Sequence, residues 1–356
     1  MERNFWQKRR VLLTGHTGFK GSWLSLWLQF LGVELLGYAL HPPTNPSLFE
    51  VARVAEGMTS AIGDITDYEH LRKAIADFRP EIIIHMAAQT VVHTSYLDPV
   101  SNYNTNVMGT VHLFEAIRHV GGVKAVVNVT SDKCYENREW VWGYRENDPL
   151  GGYDPYSSSK ACAEIVTAAY RNSFFNVSNY AEHGTAIATA RAGNVIGGGD
   201  WTANGLIADI VRSFLEQKKI LIRNPYATRP WQHVLDALNG YLTLAEHLYN
   251  KGPAFAEAWN FGPNESDIKP VDWIVEKMLS LWGEGVTWEK DQTCQFHESN
   301  SLSLSCSKAH LKLGWTPKMS LEDALTQIIT WTKGYQTGAD MRAMTIDAIS
   351  QYMNLS

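Results

Sequence analysis

The stretch RVLLTGHTGFKG, residues 10–21, decides the fold of this chain because it joins a strand pattern to a helix pattern through a glycine-rich turn. Apolar residues predict a strand over 9–13, and apolar residues at helical spacing predict a helix over 21–31. Glycines between them allow a tight turn and let backbone N–H groups approach a pyrophosphate at the helix N-terminus, where the helix dipole favours negative charge. An ordinary glycine-rich turn is the alternative interpretation.

Strands and helices alternate through the first half of the chain. Further elements are predicted as strands over 34–39, 81–86, 125–130 and 186–191, and as helices over 68–77, 102–120 and 156–171. This alternation predicts a Rossmann-type, doubly wound parallel sheet with right-handed crossovers. Loops predominate after Asn194. We therefore expect a dinucleotide-binding domain over 1–190, with returning segments near 232–262, and a smaller C-terminal substrate-binding lobe over 191–356.

The cofactor expected in this fold is NAD. A carboxylate at the end of the second strand would bind the ribose hydroxyls of NAD, but His41 lies near that position, so adenosine binding should be weak. No Arg follows to bind the 2′-phosphate of NADP, so NAD is favoured. Asp64 is expected to face the adenine amino group. The predicted cofactor-binding set is Gly15, His16, Thr17, Gly18, Phe19, Lys20, Gly21, His41, Asp64, Ile65, Ala87, Ala88, Gln89 and Asn106.

Composition excludes several classes of protein. The 356 residues are 45% hydrophobic and 19% charged, and a net charge of −6 with scattered Lys and Arg argues against nucleic-acid binding. No apolar run approaches the ~20 residues that a membrane helix needs, and no signal peptide precedes the first strand, so we predict no membrane contact and a cytoplasmic location. Cys134, Cys162, Cys294 and Cys306 lack disulfide-ladder or zinc spacing, so we predict no metal.

Tyr156 and Lys160 lie four residues apart in YSSSK, residues 156–160, so a helix places both side chains on one face. A nearby ammonium favours a phenolate, so Lys160 is expected to lower the pKa of Tyr156 from about 10 and make it a base near neutral pH. The motif alone is common. It gains weight because Ser131 ends a predicted strand upstream and because the glycine turn precedes both.

With these motifs the chain resembles the extended short-chain dehydrogenase/reductase family over nearly its whole length. The matching segments are TGHTGFKG at 14–21, HMAAQ at 85–89, NTNVMGT at 104–110, TS at 130–131, YSSSK at 156–160, RAGNVIGGGD at 191–200, RPWQHVLD at 229–236 and WNFGP at 259–263. The resemblance implies that Ser131 hydrogen-bonds the reacting sugar hydroxyl, Tyr156 takes its proton and Lys160 holds the nicotinamide ribose. It also implies a nucleotide-sugar substrate bound by Asn194 and Arg229, with Arg229 as a bidentate donor to the pyrophosphate.

Asp132 and Lys133, directly after the triad serine, distinguish among the activities of the resembled family. Its 4-epimerases carry small inert residues at these positions, whereas its 4,6-dehydratases carry an acid and a base. The pair therefore implies oxidation at C4, loss of water across C5 and C6, and return of the hydride to C6. Asp132 is the expected acid, which requires burial to raise its pKa. Because neighbouring strand residues point to opposite faces, the chain must turn here for both side chains to reach the substrate.

Within this resemblance, the residue type at position 133 distinguishes the dehydratases by the nucleotide of their substrate. The dTDP- and GDP-sugar dehydratases have Glu at this position, whereas an Asp-Lys pair resembles the CDP-glucose 4,6-dehydratases. CDP-glucose is therefore the expected substrate, and the expected product, CDP-4-keto-6-deoxyglucose, is an early intermediate for deoxysugars of bacterial surface polysaccharide. Lys133 either removes the C5 proton as a neutral amine or orients the sugar while water or Tyr156 moves that proton.

The remaining expectations concern the sugar pocket, the assembly and competing functions. His93, Ser95 and Tyr96, after the strand predicted over 81–86, are expected to contact the sugar. The resemblance implies a homodimer or a dimer of dimers through the helices predicted over 102–120 and 156–171. A nucleotide-sugar 4-epimerase is the alternative enzyme. A non-catalytic NAD-sensing protein is the alternative of another class, and the intact tyrosine and lysine of the triad argue against it.

Overall fold

The computed structural model describes residues 3–283, 285–291 and 301–355. Its strands are β1 Arg10–Thr14, β2 Glu34–Ala39, β3 Thr59–Ile62, β4 Ile82–His85, β5 Ala125–Val129, β6 Ala186–Ala192, β7 Val195–Ile196, β8 Ile220–Ile222, β9 Thr228–Pro230, β10 Gln232–His233, β11 Ala258–Phe261, β12 Ile268–Pro270 and β13 Trp288–Lys290.

The α-helices are α1 Arg3–Trp6, α2 Phe19–Phe30, α3 Leu48–Val51, α4 Tyr68–Phe78, α5 Val92–Leu97, α6 Pro99–Tyr103, α7 Gly109–Val120, α8 Pro155–Ser173, α9 Tyr180–His183, α10 Leu206–Glu216, α11 Val234–Lys251, α12 Val271–Trp282, α13 Leu321–Gln336 and α14 Met341–Met353. Short 3₁₀ helices span Asp132–Cys134, Val177–Asn179, Gly252–Phe255 and Glu265–Asp267. π-Helical turns span Asn104–Met108 and Ala309–Leu313.

Seven strands form one parallel sheet in the order β11-β6-β5-β4-β1-β2-β3. β1 lies between β2 and β4, with Leu12 opposite Leu36 on one side and Ile83 on the other. Strand order reverses between β1 and β4, and ligands bind at the carboxyl ends of strands beside such a switch point. The predicted doubly wound sheet is confirmed. The WNFGP segment contributes β11, which pairs with β6 at the sheet edge, as expected for a returning segment.

Local sequence signals explain where α8, the helix of the YSSSK motif, begins. The Asp154 side chain accepts a hydrogen bond from the Ser157 backbone N–H at 2.9 Å, and Pro155 occupies the first helical position. Both features are typical of helix N-termini, because the cap satisfies an otherwise unpaired N–H and proline has none to satisfy. These signals fix Tyr156 in the first turn of α8, next to the carboxyl end of the sheet.

Two predictions about helices were incomplete. The continuous helix predicted over 102–120 is divided into α6, the π-turn Asn104–Met108 and α7. α14 was not predicted, because the segment after α13 shows little periodicity and its buried residues contact the first half of the chain. Tyr352, for example, is buried and packs edge-on against Trp27 of α2.

Two of the apolar clusters in the described core occupy different parts of the fold. One extends through the sheet, α2, α11 and the C-terminal α14. The other is built mainly from α10, α12 and α13. The division into domains 1–190 and 191–356 stays a prediction, and the second cluster is the structural feature that corresponds to the smaller lobe.

The described helices and cysteines bear on membrane insertion and on disulfide pairing. Across the described residues, the helices lack the combination of length and apolar character needed to cross a bilayer. Cys134, Cys162 and Cys306 are free thiols. Cys294 lies outside the described residues.

Candidate functional site

In the turn between β1 and α2, backbone segments pack so closely that only glycines fit. Gly15 has φ of +76°, and a Cβ there would lie 2.8 Å from the Ala87 backbone N. A Cβ on Gly21 would lie 2.0 Å from the Gly15 carbonyl oxygen. Gly18 precedes α2 without a side-chain cap, so the first N–H groups of a 12-residue helix face the crevice. This is the geometry expected of a pyrophosphate-binding turn.

The other loop residues differ in where their side chains point. Thr17 donates from its hydroxyl to the Leu40 carbonyl at 2.9 Å, which ties the loop to the end of β2. Phe19 packs against the main apolar cluster. The Lys20 ammonium lies 5.9 Å from the Tyr241 ring centroid, and burial lowers the pKa of Lys20 to about 8 although the Asp132 carboxylate opposes that shift.

His16 points into the protein. Its ring is fully buried, its Nε2 lies 2.7 Å from the Ser60 hydroxyl, and it packs edge-on against Phe49. A Cβ on Gly37 would lie 2.3 Å from the His16 ring, so β2 has a glycine where the ring passes. Burial lowers the pKa of His16 to about 4, so the ring is neutral at pH 7.

The remaining predicted adenosine and loop residues surround the same edge of the sheet. His41 is exposed just beyond β2. Asp64 is exposed and accepts a hydrogen bond from the Thr66 backbone N–H at 2.8 Å. Ile65 is buried beneath α7 beside Gly109.

Asn106, in the π-turn, holds the HMAAQ loop. Its Oδ1 accepts from the Gln89 backbone N–H at 2.9 Å, and its Nδ2 donates to the Gln89 carbonyl at 3.0 Å and to the Ser159 hydroxyl at 2.8 Å. The loop residues Ala87 and Ala88 are partly exposed. Asn106 therefore connects this loop to α8, and its side-chain donors are engaged with protein groups.

The chain turns at the carboxyl end of β5, as the Asp132–Lys133 pair required. Ser131 is extended, and Asp132 and Lys133 begin a 3₁₀ helix whose N-cap is the Ser131 side chain. The Ser131 hydroxyl accepts from the Lys133 N–H at 3.2 Å and donates to the Asp132 carboxylate at 3.0 Å. The Lys133 ammonium lies 6.0 Å from the Tyr156 ring centroid. Both members of the pair thus lie beside the triad.

Asp132 has the environment expected of an acid that must hold a proton. Its side chain is buried, and burial raises its pKa, while the charges of Lys133 and Arg229 oppose that rise. A Cβ on Gly193 would lie 3.0 Å from the Asp132 Oδ2. Glycine at position 193 therefore leaves room for the carboxylate between β5 and β6.

Tyr156 and Lys160 lie on one face of α8, but the expected shift of the Tyr156 pKa is wrong for the protein alone. Burial raises the pKa of Tyr156 well above its ordinary value, and the hydrogen bond with Ser131 lowers it by less. Lys160 donates to the Val129 carbonyl at 3.2 Å. Burial, followed by the nearby charge of Lys20, lowers the pKa of Lys160 to about 7. Desolvation of the buried phenolate is the largest of these effects on Tyr156.

Ser95 contacts the backbone of the triad residue Tyr156. It is fully buried, donates to the Val92 carbonyl at 2.7 Å and accepts from the Tyr156 backbone N–H at 3.2 Å. Tyr96 is partly exposed, and burial, Asp154 and Tyr153 raise its pKa.

A buried ion pair that the sequence reasoning missed anchors the catalytic elements. Glu164 and Arg191 pair at 2.7 Å with side chains 3% and 4% exposed. Glu164 also accepts from the hydroxyls of Thr130 and Thr189, and Arg191 donates to the Tyr135 hydroxyl at 2.7 Å. The pair therefore connects α8 to both ends of the turn that holds Asp132. Glu164 follows Lys160 by one helical turn, a spacing that could have identified it.

A cavity of about 840 Å³ opens beside these residues. Its described lining includes Lys133, Asn194 and Arg229 from the predicted site, and His93 rather than its neighbours Ser95 and Tyr96. Residues of α10 and of the segment after β8 line another part, which sequence reasoning did not identify. Within residues 3–283, 285–291 and 301–355, no group of three or more His, Cys, Asp or Glu side chains is placed to hold a metal ion.

Known proteins resemble this chain over most of its length. A family model described as GDP-mannose 4,6 dehydratase matches residues 12–328. The CDP-glucose 4,6-dehydratase of Salmonella typhimurium is 56% identical over 354 residues, which cover 99% of each chain.

Solved structures share the architecture at lower identity. The dTDP-glucose 4,6-dehydratase of Bacillus anthracis in complex with NAD is 23% identical, with a TM-score of 0.75 over 93% of this chain and 98% of that chain. The UDP-glucuronic acid 4-epimerase of Bacillus cereus, in complex with UDP-glucuronic acid and NAD, is 21% identical, with a TM-score of 0.78 over 91% of this chain and 99% of that chain. These likenesses support the fold.

Proposed function

The chain belongs to the GDP-mannose 4,6 dehydratase family, and on this premise we propose that it catalyses the NAD-dependent 4,6-dehydration of CDP-glucose to CDP-4-keto-6-deoxyglucose. The observation that carries the proposal is the 56% identity, over 99% of both chains, to a CDP-glucose 4,6-dehydratase. This identity bears out the prediction of a dehydratase. The buried Asp132 beside the triad is the feature of this chain that suits elimination rather than 4-epimerisation.

The residues around the glycine turn fit a dinucleotide. The close approach at Gly15 and Gly21 and the uncapped N-terminus of α2 leave backbone donors for a pyrophosphate. We propose that Thr17, Asp64, Ile65 and the 87–89 loop surround the adenosine and nicotinamide halves. When bound, NAD would supply the acceptor for the C4 hydride and, once reduced, the hydride donor for C6, and the positive charge of its oxidised form would favour the phenolate of Tyr156.

Tyr156 is the proposed base for the first step. Its hydroxyl lies beside Ser131, which can hold the C4 hydroxyl of the sugar while Tyr156 takes the proton. Lys160, fixed by the Val129 carbonyl, is placed to hold the nicotinamide ribose. Removal of the proton from the C4 hydroxyl and of the hydride from the C4 carbon produces a ketone. The ketone acidifies the proton on the neighbouring C5.

Asp132 is the proposed acid for elimination. Burial raises its pKa, which favours the protonated form that can deliver a proton to the departing C6 hydroxyl. Lys133, at the cavity edge near Tyr156, is placed to remove the C5 proton or to orient the sugar while water or Tyr156 does so. Asn194 and Arg229, from the cavity lining, are the proposed ligands of the sugar and the pyrophosphate.

Mass spectrometry of nucleotide sugars tests this proposal. Incubation with added NAD should remove one water from CDP-glucose and leave the masses of dTDP-glucose and GDP-mannose unchanged, with no net reduction of NAD. Unchanged mass with inversion at C4 would instead establish a 4-epimerase and contradict the roles of Asp132 and Lys133.

A second copy of this chain is the proposed partner. Large apolar side chains are exposed on neighbouring helices, namely Val100, Tyr103, Met108, Ile165 and Phe174. They lie on or beside α6, α7 and α8, where the resemblance implies a dimer or a dimer of dimers. Exposed apolar patches of this kind are typical of interfaces.

Sedimentation velocity measures the assembly directly. The wild type should sediment as a dimer or larger, and Ile165→Glu should shift it to monomer. Leu311→Glu is the matched control, because Leu311 is 86% exposed and outside the proposed interface. A monomeric wild type at micromolar concentration would contradict the proposed assembly.

Three finer proposals follow from this function. We propose a cytoplasmic location, because NAD and nucleotide sugars are cytoplasmic metabolites and Cys134, Cys162 and Cys306 are unpaired. The product would supply deoxysugar synthesis for surface polysaccharide. Residues 1–190 with the segments near 232–262 would form the NAD-binding domain, and 191–356 mainly the nucleotide-sugar lobe.

A further inference from the structure

One side of the cavity is formed by α10 and the segment that follows β8. We call its residues Leu206, Asp209, Leu221 and Arg223 the base wall. Leu206 and Asp209 lie in the first turn of α10, and Leu221 and Arg223 lie in and just after β8. The wall therefore combines two aliphatic side chains with one carboxylate and one guanidinium.

The position of Arg229 indicates which part of a nucleotide sugar reaches this wall. Arg229 lines the cavity, and its charge acts on Asp132, so it lies towards the catalytic end. A nucleotide sugar carries its pyrophosphate between the sugar and the nucleoside. With the sugar at Asp132 and the pyrophosphate at Arg229, the nucleoside extends towards the base wall. This placement rests on the proposed function.

Asp209 is distinguished from the other carboxylates of the cavity. In the described lining contributed by residues 202–231, it is the only acidic side chain. The other acidic lining residues, Glu136, Glu139 and Asp154, come from residues 136–154, where Asp154 caps α8 through Ser157 and Glu136 pairs with Arg138 at 3.0 Å. Asp209 pairs with Arg212 at 2.6 Å and is also hydrogen-bonded by the Asn204 backbone, yet its side chain remains 39% exposed in the cavity lining.

Two arginines affect the charge and position of Asp209. Burial raises its pKa, whereas the Arg212 hydrogen bond and the charges of Arg212 and Arg223 oppose that rise and favour the carboxylate. Arg223 also donates to the Asn204 carbonyl at 3.1 Å, which fixes the loop before α10. In its ionised form a carboxylate accepts hydrogen bonds and donates none.

Pyrimidines differ at the atom that such a group can discriminate. Cytosine carries a 4-amino donor, whereas uracil and thymine carry a 4-oxo acceptor, and a carboxylate is a suitable acceptor for the cytosine amine. We propose that Asp209 accepts a hydrogen bond from the cytosine 4-amino group, with the ring between Leu206 and Leu221, and thereby selects CDP-sugars over UDP- and dTDP-sugars. A 4-oxo group in the same position would place two acceptors against each other.

The variant Asp209→Asn tests this selection, since its amide can present either a donor or an acceptor. We expect the ratio of kcat/KM for CDP-glucose to that for UDP-glucose to fall about 10- to 100-fold, the range for loss of a hydrogen bond to a charged group. Glu216→Gln is the matched control, because it makes the same change on the last residue of α10, where Glu216 pairs with Lys218. The control should keep the wild-type ratio.

A second measurement uses the unaltered protein and does not depend on how the variant folds. CDP and the diphosphate of 1-ribosyl-2-pyrimidinone, which is CDP without the 4-amino group, would compete for the wild type. The analogue should bind about 10- to 100-fold more weakly. Equal binding of the two, or an unchanged ratio in Asp209→Asn, would overturn the assignment while leaving CDP-glucose dehydration intact. Failure of the wild type to dehydrate CDP-glucose would instead overturn the proposed function.

Discussion

The buried catalytic network beside the cavity, which we call the floor, and the base wall of the cavity are held in different ways. In the floor, Ser131, Asp132, Tyr156, Lys160 and the Glu164–Arg191 pair are buried, and hydrogen bonds connect the turn after β5 to α8. In the wall, Asp209 and Leu221 remain partly exposed, and Arg223 is fixed through a loop carbonyl.

This difference in burial indicates that the floor determines the reaction rate, whereas the wall determines which substrate is accepted. A buried group in a connected network has no water to replace a lost partner, so a substitution in the floor should reduce catalysis or unfold the protein. A partly exposed group can be rehydrated, so a substitution in the wall should leave the fold intact and change which base is accepted. The following predictions test this separation.

Tyr156→Phe should stop the reaction before any oxidation. The variant removes the proposed base while keeping the ring, so we expect turnover to fall about 10²- to 10⁴-fold. In a single turnover with CDP-glucose, no transient absorbance of reduced nicotinamide should form. A transient of wild-type size would show that another group takes the C4 proton.

Asp132→Asn should separate oxidation from elimination. Loss of the acid is expected to slow water loss about 10²- to 10³-fold, whereas oxidation at C4 should continue because Tyr156 and Ser131 are unchanged. Reduced nicotinamide should therefore accumulate in a single turnover, and the mass of the nucleotide sugar should fall by two hydrogens but not by a water, because the C6 hydroxyl is retained. A fully active variant would remove Asp132 from the scheme.

Arg191→Met should destabilise the floor, because it leaves the Glu164 carboxylate buried without its ion-pair partner. Breaking a buried pair in this way costs about 3–5 kcal/mol, measured as the free energy of unfolding in urea. Arg72→Met is the control: Arg72 pairs with Glu69 on the exposed surface of α4, and its loss should leave unfolding unchanged. Equal effects of the two variants would contradict the distinction between buried and exposed charge.

The pH dependence of elimination gives the mildest test. Asp132 must carry a proton to act as an acid, and its raised pKa extends the protonated form to higher pH than for an ordinary Asp. The single-turnover rate of water loss should therefore fall as pH rises through that pKa. In Asp132→Asn the residual rate should lack this decline, and persistence of the same decline would assign it to another group.

Most of the correct predictions came from residues that lie close together in the sequence. The glycine turn, the Ser131–Lys133 sequence and the Tyr156–Lys160 spacing are local, so strand and helix geometry brings their groups together in any fold of this class. The alternation of strands and helices likewise predicted the parallel sheet, because crossovers of this length permit few arrangements. The assignments of individual binding residues stay predictions.

Long-range packing determined what local spacing could not. The ionisation of Tyr156 depends on burial, so desolvation reversed the expected pKa shift. Glu164 pairs with Arg191 because α8 packs against β6, and α14 packs on α2 from the far end of the chain. The base wall also requires α10 and β8 to meet at one cavity. Side-chain identity and local backbone geometry therefore specify the reactive groups, whereas burial and contacts between distant segments specify their charge, their support and the base they meet.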